Sequence, residues 1–591
     1  MKKLLTANEA IARGFYEAGG SVASAYPGTP STEILENISN YKDELYCEWA
    51  PNEKVALETA IGAAIVGARS LAAMKHVGLN VAADPLFTAA YTGINAGLVI
   101  ICADDPECHS SQNEQDNRHY ARSAKIAMLE PSNSQEAKDM VRMALEISEE
   151  YDVPVMMRTT TRVNHSKSVV EIGERTELPM KPYTKDRMKY DAIPAISRQL
   201  HKKIEKRQLK LAEYSDSCAL NFIVDNGAKV GVVAAGAAYQ YSRDVFGDKA
   251  NFFKVGMSYP MPIEAIRKFA MGLDKLYVIE ELDPFMEEEI RAAGIDCIGK
   301  EIIPVCGELN SSIIRKAVFG EELPLAEVKT TVVGRPPALC AGCPHRGAFV
   351  QLGRYYKDAI VCGDIGCYAL GGSAPYNAKD CAICMGAGVS LAHGMKKAFN
   401  HYGQTDRKVV AVIGDSTFFH TGINSLTGML WNNGNALVII LDNRTTGMTG
   451  HQENPGTGYT LDGGKANIIS IEEVVRALGA KNVRTVNPLD LAAMKEALDW
   501  GFGLNEPAVI ITRYPCALKK YSPEDKEEFG TLDKCIIDAG KCIGCRACVR
   551  TGCPALVFNK ENKKVVIDQG QCTGCSICMQ VCPKDAISKK G

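Results

Sequence analysis

The chain lacks an excess of charge of either sign. Its 591 residues carry 67 Lys and Arg against 70 Asp and Glu, a net charge of −3. Nothing in the overall field draws it to a polyanion or an anionic surface, so nucleic acid and membranes are both demoted as main partners. Long apolar runs are lacking too. One long uncharged stretch, residues 85–103, is interrupted by Thr88, Thr92, Asn95 and two glycines. It reads as a buried helix followed by the strand GLVIIC rather than as a membrane span. The opening MKKLLTANEAIARGFYEAGG alternates apolar and charged positions at helical spacing. It has neither the unbroken apolar core nor the cleavage site of a signal peptide, so a cytoplasmic location is expected. The composition of a disordered chain is absent as well, with 46% hydrophobic and 23% charged residues. No short repeat covers the sequence.

What is present is a succession of short apolar strands and helices. The strands SVASAYPG and GLVIICADD flank the helix NEKVALETAIGAAIVGARSL, VGVVAAG and KLYVIEEL follow, and KVVAVIGD and ALVIILDN come later. Such alternation predicts an α/β, multi-domain chain of doubly wound parallel sheets, with about four domains expected from length. The expected divisions are 1–165, a linker with surface helices over 166–215, a middle block over 216–330, a further α/β block over 331–525, and a turn-rich tail over 530–591. Pro324 and Pro336–Pro337 mark the third boundary.

Cysteine is the informative residue: of 22, nine lie after residue 530. In a reducing compartment such density points to metal or redox chemistry rather than disulfides. Cys542, Cys545, Cys548 and Cys553 stand as C-x2-C-x2-C-x4-C-P, and Cys572, Cys575, Cys578 and Cys582 as C-x2-C-x2-C-x3-C-P. Three thiolates two residues apart wrap one cubane, and the proline-linked cysteine of each run serves the other cluster. One [4Fe-4S] cluster is therefore assigned to Cys542, Cys545, Cys548 and Cys582, and a second to Cys572, Cys575, Cys578 and Cys553. Zinc sites, built from two C-x2-C pairs, fit two triplets with distant fourths poorly. The extra residue between Cys548 and Cys553 enlarges one loop, and Cys535 reads as a packed thiol.

A second constellation lies upstream. Gly414-Asp415-Ser416 closes one predicted strand and Asp442-Asn443 another, with 25 residues between the two motifs. Strand ends of a parallel sheet open onto one crevice, where Asp415 and Asn443 can supply oxygen ligands to Mg2+ holding a diphosphate. A helix expected to start near Gly422 would add its N-terminal amides. This spacing resembles the thiamine diphosphate motif, which implies the backbone carbonyl of Thr445 as a third protein ligand. Thiamine diphosphate also needs a carboxylate against N1′ of its aminopyrimidine, so that the imino nitrogen can take the C2 proton. Glu53, with Gly62 nine residues on, resembles that carboxylate; Glu58 is its rival. Met385 resembles the apolar wedge that bends the cofactor.

Through YPGTPSTEI, NEKVALE, KHVGLNVAADPL, LCAGCPHR, DIGCY, GDSTFFHTGI, DNRTTGMTG and the cysteine-rich tail, the chain resembles the 2-oxoacid:ferredoxin oxidoreductases over essentially its whole length. Within them it is most similar to the α subunits that act on indolepyruvate. The resemblance implies a pyrimidine-binding domain first, a middle domain, a diphosphate-binding domain and a fused two-cluster [4Fe-4S] ferredoxin-type domain. It implies cofactor contacts from Gly363, Asp364, Gly414 and Ser416, and a substrate or diphosphate contact from Thr29. It also implies a third, proximal [4Fe-4S] cluster on Cys340, Cys343, Cys367 and Cys516, for which Cys362, Cys381 and Cys384 are substitutes. His420 and His451 are candidate proton donors or diphosphate contacts.

The implied reaction is oxidative decarboxylation of an aryl 2-oxoacid with CoA, ferredoxin being reduced, in a heterodimer or dimer of heterodimers with a smaller β subunit. Ten Lys and Arg against five Asp and Glu over residues 531–591 suggest a basic rim for an acidic ferredoxin. Pyruvate or 2-oxoglutarate as substrate, a non-oxidative decarboxylase and a non-enzymatic electron carrier remain open readings.

Overall fold

Apolar runs too short for helices become strands, and the chain covers them with helices on both faces. The computed structural model describes residues 1–324, 328–334 and 336–590, in two compact units, Met1–Lys329 and Thr330–Gly591. Residues 325–327 and 335, in the expected boundary stretch, lie outside the described residues.

The first unit begins with β1 (Lys2–Thr6), β2 (Val22–Ala25), β3 (Tyr46–Trp49), β4 (Ser70–Lys75), β5 (Leu98–Asp104), β6 (Ala127–Leu129), β7 (Val155–Thr160) and β8 (Lys167–Glu171). It continues with β9 (Phe222–Val224), β10 (Val230–Ala235), β11 (Asn251–Val255), β12 (Met257–Tyr259) and β13 (Lys275–Ile279). A seven-stranded sheet runs β12-β6-β7-β5-β4-β2-β3, parallel except for the β12–β6 edge. Every residue of β4, β5 and β7 is buried, as expected of parallel strands covered on both faces. A four-stranded sheet, β13-β10-β11-β9, follows.

The expected middle block does not keep to itself. Its strand β12 completes the edge of the first sheet, and one core mixes Met74, Leu98 and Met128 with Val233, Phe253 and Phe285. The expected linker likewise contributes β8, antiparallel to β1, and the 24-residue helix Pro194–Ser217. The helix after Asn52 stops at Ile65, short of the expected Leu71. Gly67 takes φ +105° and the chain then turns into β4.

In the second unit, β14 (Ile360–Cys362), β15 (Val409–Gly414), β16 (Leu437–Asp442), β17 (Asn482–Val486) and β18 (Ala508–Arg513) form a parallel sheet ordered β14-β15-β16-β18-β17. Alternate residues point to opposite faces. Val410, Val412 and Ile439 pack with Phe349 and Leu498 on one side; Ala411, Ile413 and Ile440 pack with Val389 and Leu426 on the other.

The tail adds two small antiparallel pairs, Cys535–Ile537 with Ile587–Lys589 and Leu556–Asn559 with Lys564–Ile567. Its core is largely sulfur, with Cys535, Cys542 and Cys548 buried beside Leu556, Ile567 and Ile587. So small a core is one that needs inorganic staples.

Candidate functional site

The parallel sheet of the second unit sets β15 beside β16, with Gly414 opposite Leu441, so the next residues of both strands emerge together. Gly414 has to be glycine: a Cβ there would lie 2.6 Å from the Tyr368 ring. Asp415 follows, buried, at the start of a helix that runs through Thr417, a π-turn over Phe418–Gly422 and the segment Ile423–Trp431. The helix therefore begins at Asp415, and the expected start near Gly422 is corrected. Gly422 lies where the π-turn rejoins the α-helix, and the first-turn amides belong to Ser416 and its successors.

Asp415 accepts from Ser416 N at 2.7 Å and Thr445 N at 3.2 Å, with the Asn454 amide at 3.4 Å. The Asn443 side-chain oxygen lies 2.8 Å from the Thr445 carbonyl oxygen and 3.2 and 3.3 Å from the two Asp415 oxygens. Turning the amide over would make these contacts hydrogen bonds. The Asp415 carboxylate, the Asn443 amide and the Thr445 carbonyl thus meet at one point, and groups of these kinds can ligate a hard cation. Burial, with the Asp442 charge nearby, pushes the Asp415 carboxyl up to about 8, the response of a carboxylate that lacks a counter-ion. The Asn443 amide nitrogen faces His345 Nε2 at 3.4 Å, and burial lowers that imidazole to about 4, leaving it neutral.

Around this pair the expected residues fall into different roles. Asp364 has both oxygens engaged by the amides of Ile365, Gly386 and Gly388 at 2.8–2.9 Å. It thereby braces the loop after Gly363 against the helix Ala387–His401. Gly363 sits tight against Lys379, whose Cδ would be 2.3 Å from a Cβ. Met385 is half-buried and its carbonyl accepts from Thr421 Oγ1 at 2.8 Å. Ser416 Oγ accepts from Thr446 Oγ1 at 2.9 Å. His420 is buried in the π-turn, near enough to Asp364 for their charges to interact. His451 is half-buried, in the left-handed region at φ +68°.

Four cysteines meet beside the oxygen cluster. Cys343 interacts with Cys367 and Cys516, and Cys367 with Cys340, Cys516 and Asp415. Burial drives the Cys343 thiol up to about 12 and Cys367 up to about 11. The Cys516 amide donates to the Asn443 carbonyl at 3.0 Å, so one thiol bearer is bonded to the strand end that carries the oxygens. The substitutes are elsewhere: Cys362 and Cys381, both free thiols, pair through their backbones on the far face, and Cys384 is exposed.

In the tail, Cys542, Cys545, Cys548 and Cys582 line a single cavity, with the Ala586 amide donating to Cys582 Sγ at 3.3 Å. Cys553, Cys575 and Cys578 neighbour one another. Cys535 is packed in the tail core, as expected. Its amide donates to Cys572 Sγ at 3.4 Å and its sulfur is hydrogen-bonded to Cys578.

In the first unit, Glu53 is buried at the first turn of its helix, which Asn52 caps through Val55 N at 2.9 Å. Gly78 makes room for it, since a Cβ there would lie 2.6 Å from the carboxylate. Lys75, itself buried, is close enough to sense its charge. Glu58 is exposed and paired with Lys54. The Thr29 carbonyl accepts from Ser110 Oγ at 3.3 Å. Sequence reasoning assigned no part to His345, Asn454, Tyr368 or Lys75. His345 and Lys75 stand inside quoted strings, but only their burial beside Asn443 and Glu53 singles them out.

Three family models match. Residues 13–208 match the thiamine diphosphate-binding domain of pyruvate flavodoxin/ferredoxin oxidoreductases. Residues 364–512 match the C-terminal TPP binding domain of thiamine pyrophosphate enzymes, and residues 541–586 match a 4Fe-4S dicluster domain. The class is thus a thiamine diphosphate enzyme with a built-in dicluster ferredoxin domain. The chain is 40% identical over 618 residues to indolepyruvate oxidoreductase subunit IorA of Methanothermobacter thermautotrophicus, covering 100% of this chain and 98% of that one. It is 39% identical to the same subunit of Pyrococcus horikoshii, at 100% and 97% coverage. The chain belongs to the indolepyruvate oxidoreductase IorA family. A solved 2-oxoglutarate:ferredoxin oxidoreductase from Magnetococcus marinus matches with a TM-score of 0.46 and 18% identity, over 54% of this chain and 64% of that one. Among the described residues no helix is long and apolar enough to cross a membrane.

Proposed function

We propose that this chain is the catalytic, electron-transferring subunit of an indolepyruvate:ferredoxin oxidoreductase. The net reaction is indolepyruvate, CoA and two oxidised ferredoxins to indoleacetyl-CoA, CO2, a proton and two reduced ferredoxins. The Cys516 amide bonded to the Asn443 carbonyl carries this reading. It ties Cys516, whose thiol is close enough to sense Cys340, Cys343 and Cys367, to the strand end that bears Asn443, so an electron acceptor and a diphosphate anchor would share a wall.

Thiamine diphosphate, when bound, supplies the electron sink for decarboxylation. The chain's own residues do the rest. Asp415, Asn443 and the Thr445 carbonyl hold Mg2+, and the amides of Ser416 and the residues after it face the diphosphate. Glu53, shielded from water, presents its carboxylate to the aminopyrimidine. Met385 serves as the wedge, and Thr29 and His420 attend the substrate. Cys340, Cys343, Cys367 and Cys516 hold a proximal [4Fe-4S] cluster. The tail sets extend the wire to Cys545, the exposed thiol of its group, where a ferredoxin docks. A smaller β subunit completes the enzyme, as a heterodimer or dimer of heterodimers in the cytoplasm.

The test is turnover of the anaerobically co-purified complex with indolepyruvate, phenylpyruvate, pyruvate and 2-oxoglutarate, methyl viologen being the acceptor. Reduced dye with the two aryl acids is expected. Preference for pyruvate or 2-oxoglutarate would reassign the substrate, and free aldehyde without reduced dye would sink the oxidative reading.

A further inference from the structure

Among the described residues, Arg346 and Arg118 are the two largest fully buried side chains, and they are treated in opposite ways. Arg118 is paired with Asp116 and Glu280. Arg346 has no carboxylate within ion-pair distance among the described residues. Its guanidinium donates instead to the carbonyls of Leu339 at 2.9 Å, Cys340 at 2.6 Å and Thr551 at 2.8 Å, and to the Tyr376 hydroxyl. Its Nε has no acceptor. A buried cation in such a setting calls for negative charge that the polypeptide does not provide.

The neighbours say where that charge resides. Leu339 and Cys340 belong to the C340-x2-C343 loop, and Cys343 and Cys575 both sense the Arg346 charge. Tyr376, which donates to the Thr551 carbonyl at 2.9 Å, adjoins Cys343 and Cys553. Thr551 lies in the loop enlarged by one residue between Cys548 and Cys553. Gly552, at φ +70°, lets that loop approach: a Cβ would stand 2.5 Å from the Tyr376 oxygen. The enlarged loop is thus the tongue by which the tail reaches Arg346.

Resting on the cluster assignments above, we infer that Arg346 is the internal counter-charge shared by the proximal cluster and the cluster of Cys553, Cys572, Cys575 and Cys578. A four-thiolate [4Fe-4S] cluster is anionic and becomes one charge more negative when it takes an electron. A fixed cation between two such clusters favours the reduced form of both and raises their potentials. Arg346 is a positioning residue in this scheme, touching no substrate and moving no proton.

The experiment is an anaerobic redox titration of the holoprotein followed by electron paramagnetic resonance, with iron and sulfide content measured on each variant. Arg346→Gln, fully loaded, is expected to shift the midpoints of the proximal and Cys553-containing clusters to more negative values. The Cys542, Cys545, Cys548 and Cys582 cluster should move least. Arg346→Lys, which keeps the charge but not the fork of hydrogen bonds, should stay close to the wild-type potentials. Unmoved midpoints in a loaded Arg346→Gln protein, or equal shifts in both variants, would overturn the assignment. Should Arg346→Gln assemble no clusters, Arg346→Lys decides alone, because a displaced Cys553-cluster potential there refutes the charge argument. Iron for two clusters rather than three in the wild type would sink the proximal cluster itself. The Cys553-cluster shift would still test Arg346.

Discussion

The two parallel-sheet regions handle buried charge in opposite ways. In the first, Arg158 sits between Asp104 and Glu130, each at 2.7 Å, and Arg118 between Asp116 at 2.6 Å and Glu280 at 2.5 Å. Each buried arginine there meets carboxylates supplied by the polypeptide itself. In the second, the Asp415 carboxylate is buried near Asp442, Arg346 is buried without an acid among the described residues, and thiols lie close together. In the first arrangement the arginines need no added group for a counter-charge, and their ion pairs serve structure. The second leaves a buried carboxylate and a buried guanidinium without opposite charges of their own, and incompleteness of that kind marks a candidate functional site.

Each side of this contrast can be broken separately. The largest effect belongs to Asp415→Ala, which is expected to abolish Mg2+-dependent retention of thiamine diphosphate. The apoprotein should remain as stable as before, because a buried carboxylate beside Asp442 has been removed; equilibrium dialysis and chemical denaturation read the two outcomes.

Arg118→Met should do the reverse. Leaving Asp116 and Glu280 buried without their cation costs about 3–5 kcal/mol of stability, measured by denaturation of cofactor-free protein. Thiamine diphosphate affinity per folded molecule should be unchanged. A stable Arg118→Met protein would mean that the balance of charge in this region is incidental.

The smallest effect sharpens the comparison through pH. Glu281 is pushed up to about 7 by burial, and one of its oxygens accepts from Leu309 N at 3.1 Å. A carboxyl raised in the folded state stabilises fully below its ordinary value near 4.5, and that contribution is lost as pH rises through about 7. Glu281→Gln keeps the acceptor but cannot ionise. The variant should therefore gain on the wild type with rising pH, by up to about 3 kcal/mol near pH 8. Parallel stability profiles from pH 4.5 to 8 would count against it.

Much of the site was legible because its chemistry is local in sequence. The two cysteine triplets carry their own spacing, and Gly414-Asp415 and Asp442-Asn443 stand at ends of apolar runs that could only be strands. Glu53 and Glu58, one helical turn apart, were distinguishable in principle only by face. The fold buries the first against Gly78 and leaves the second in solvent. The helix start was misplaced because a π-turn carries no compositional signal, so Gly422 looked like a beginning rather than a joint. That β12 would finish the first sheet was equally hidden, since a three-residue strand has no period to read.

By itself, the sequence determined what short-range spacing encodes: a dicluster cysteine pattern in the tail, which strand ends bear oxygen donors, and that strands and helices alternate. Residues close along the chain have few geometries open to them, so their pattern constrains what they hold. Tertiary structure alone decided which groups were left uncompensated. Cys340 and Cys516 meet only because the sheet closes between them, and Arg346 becomes a cation without an acid only once the tail's enlarged loop packs against it. Dielectric and charge balance are properties of the packed volume rather than of the string, which is why burial turned an unassigned arginine into a prediction about electron transfer.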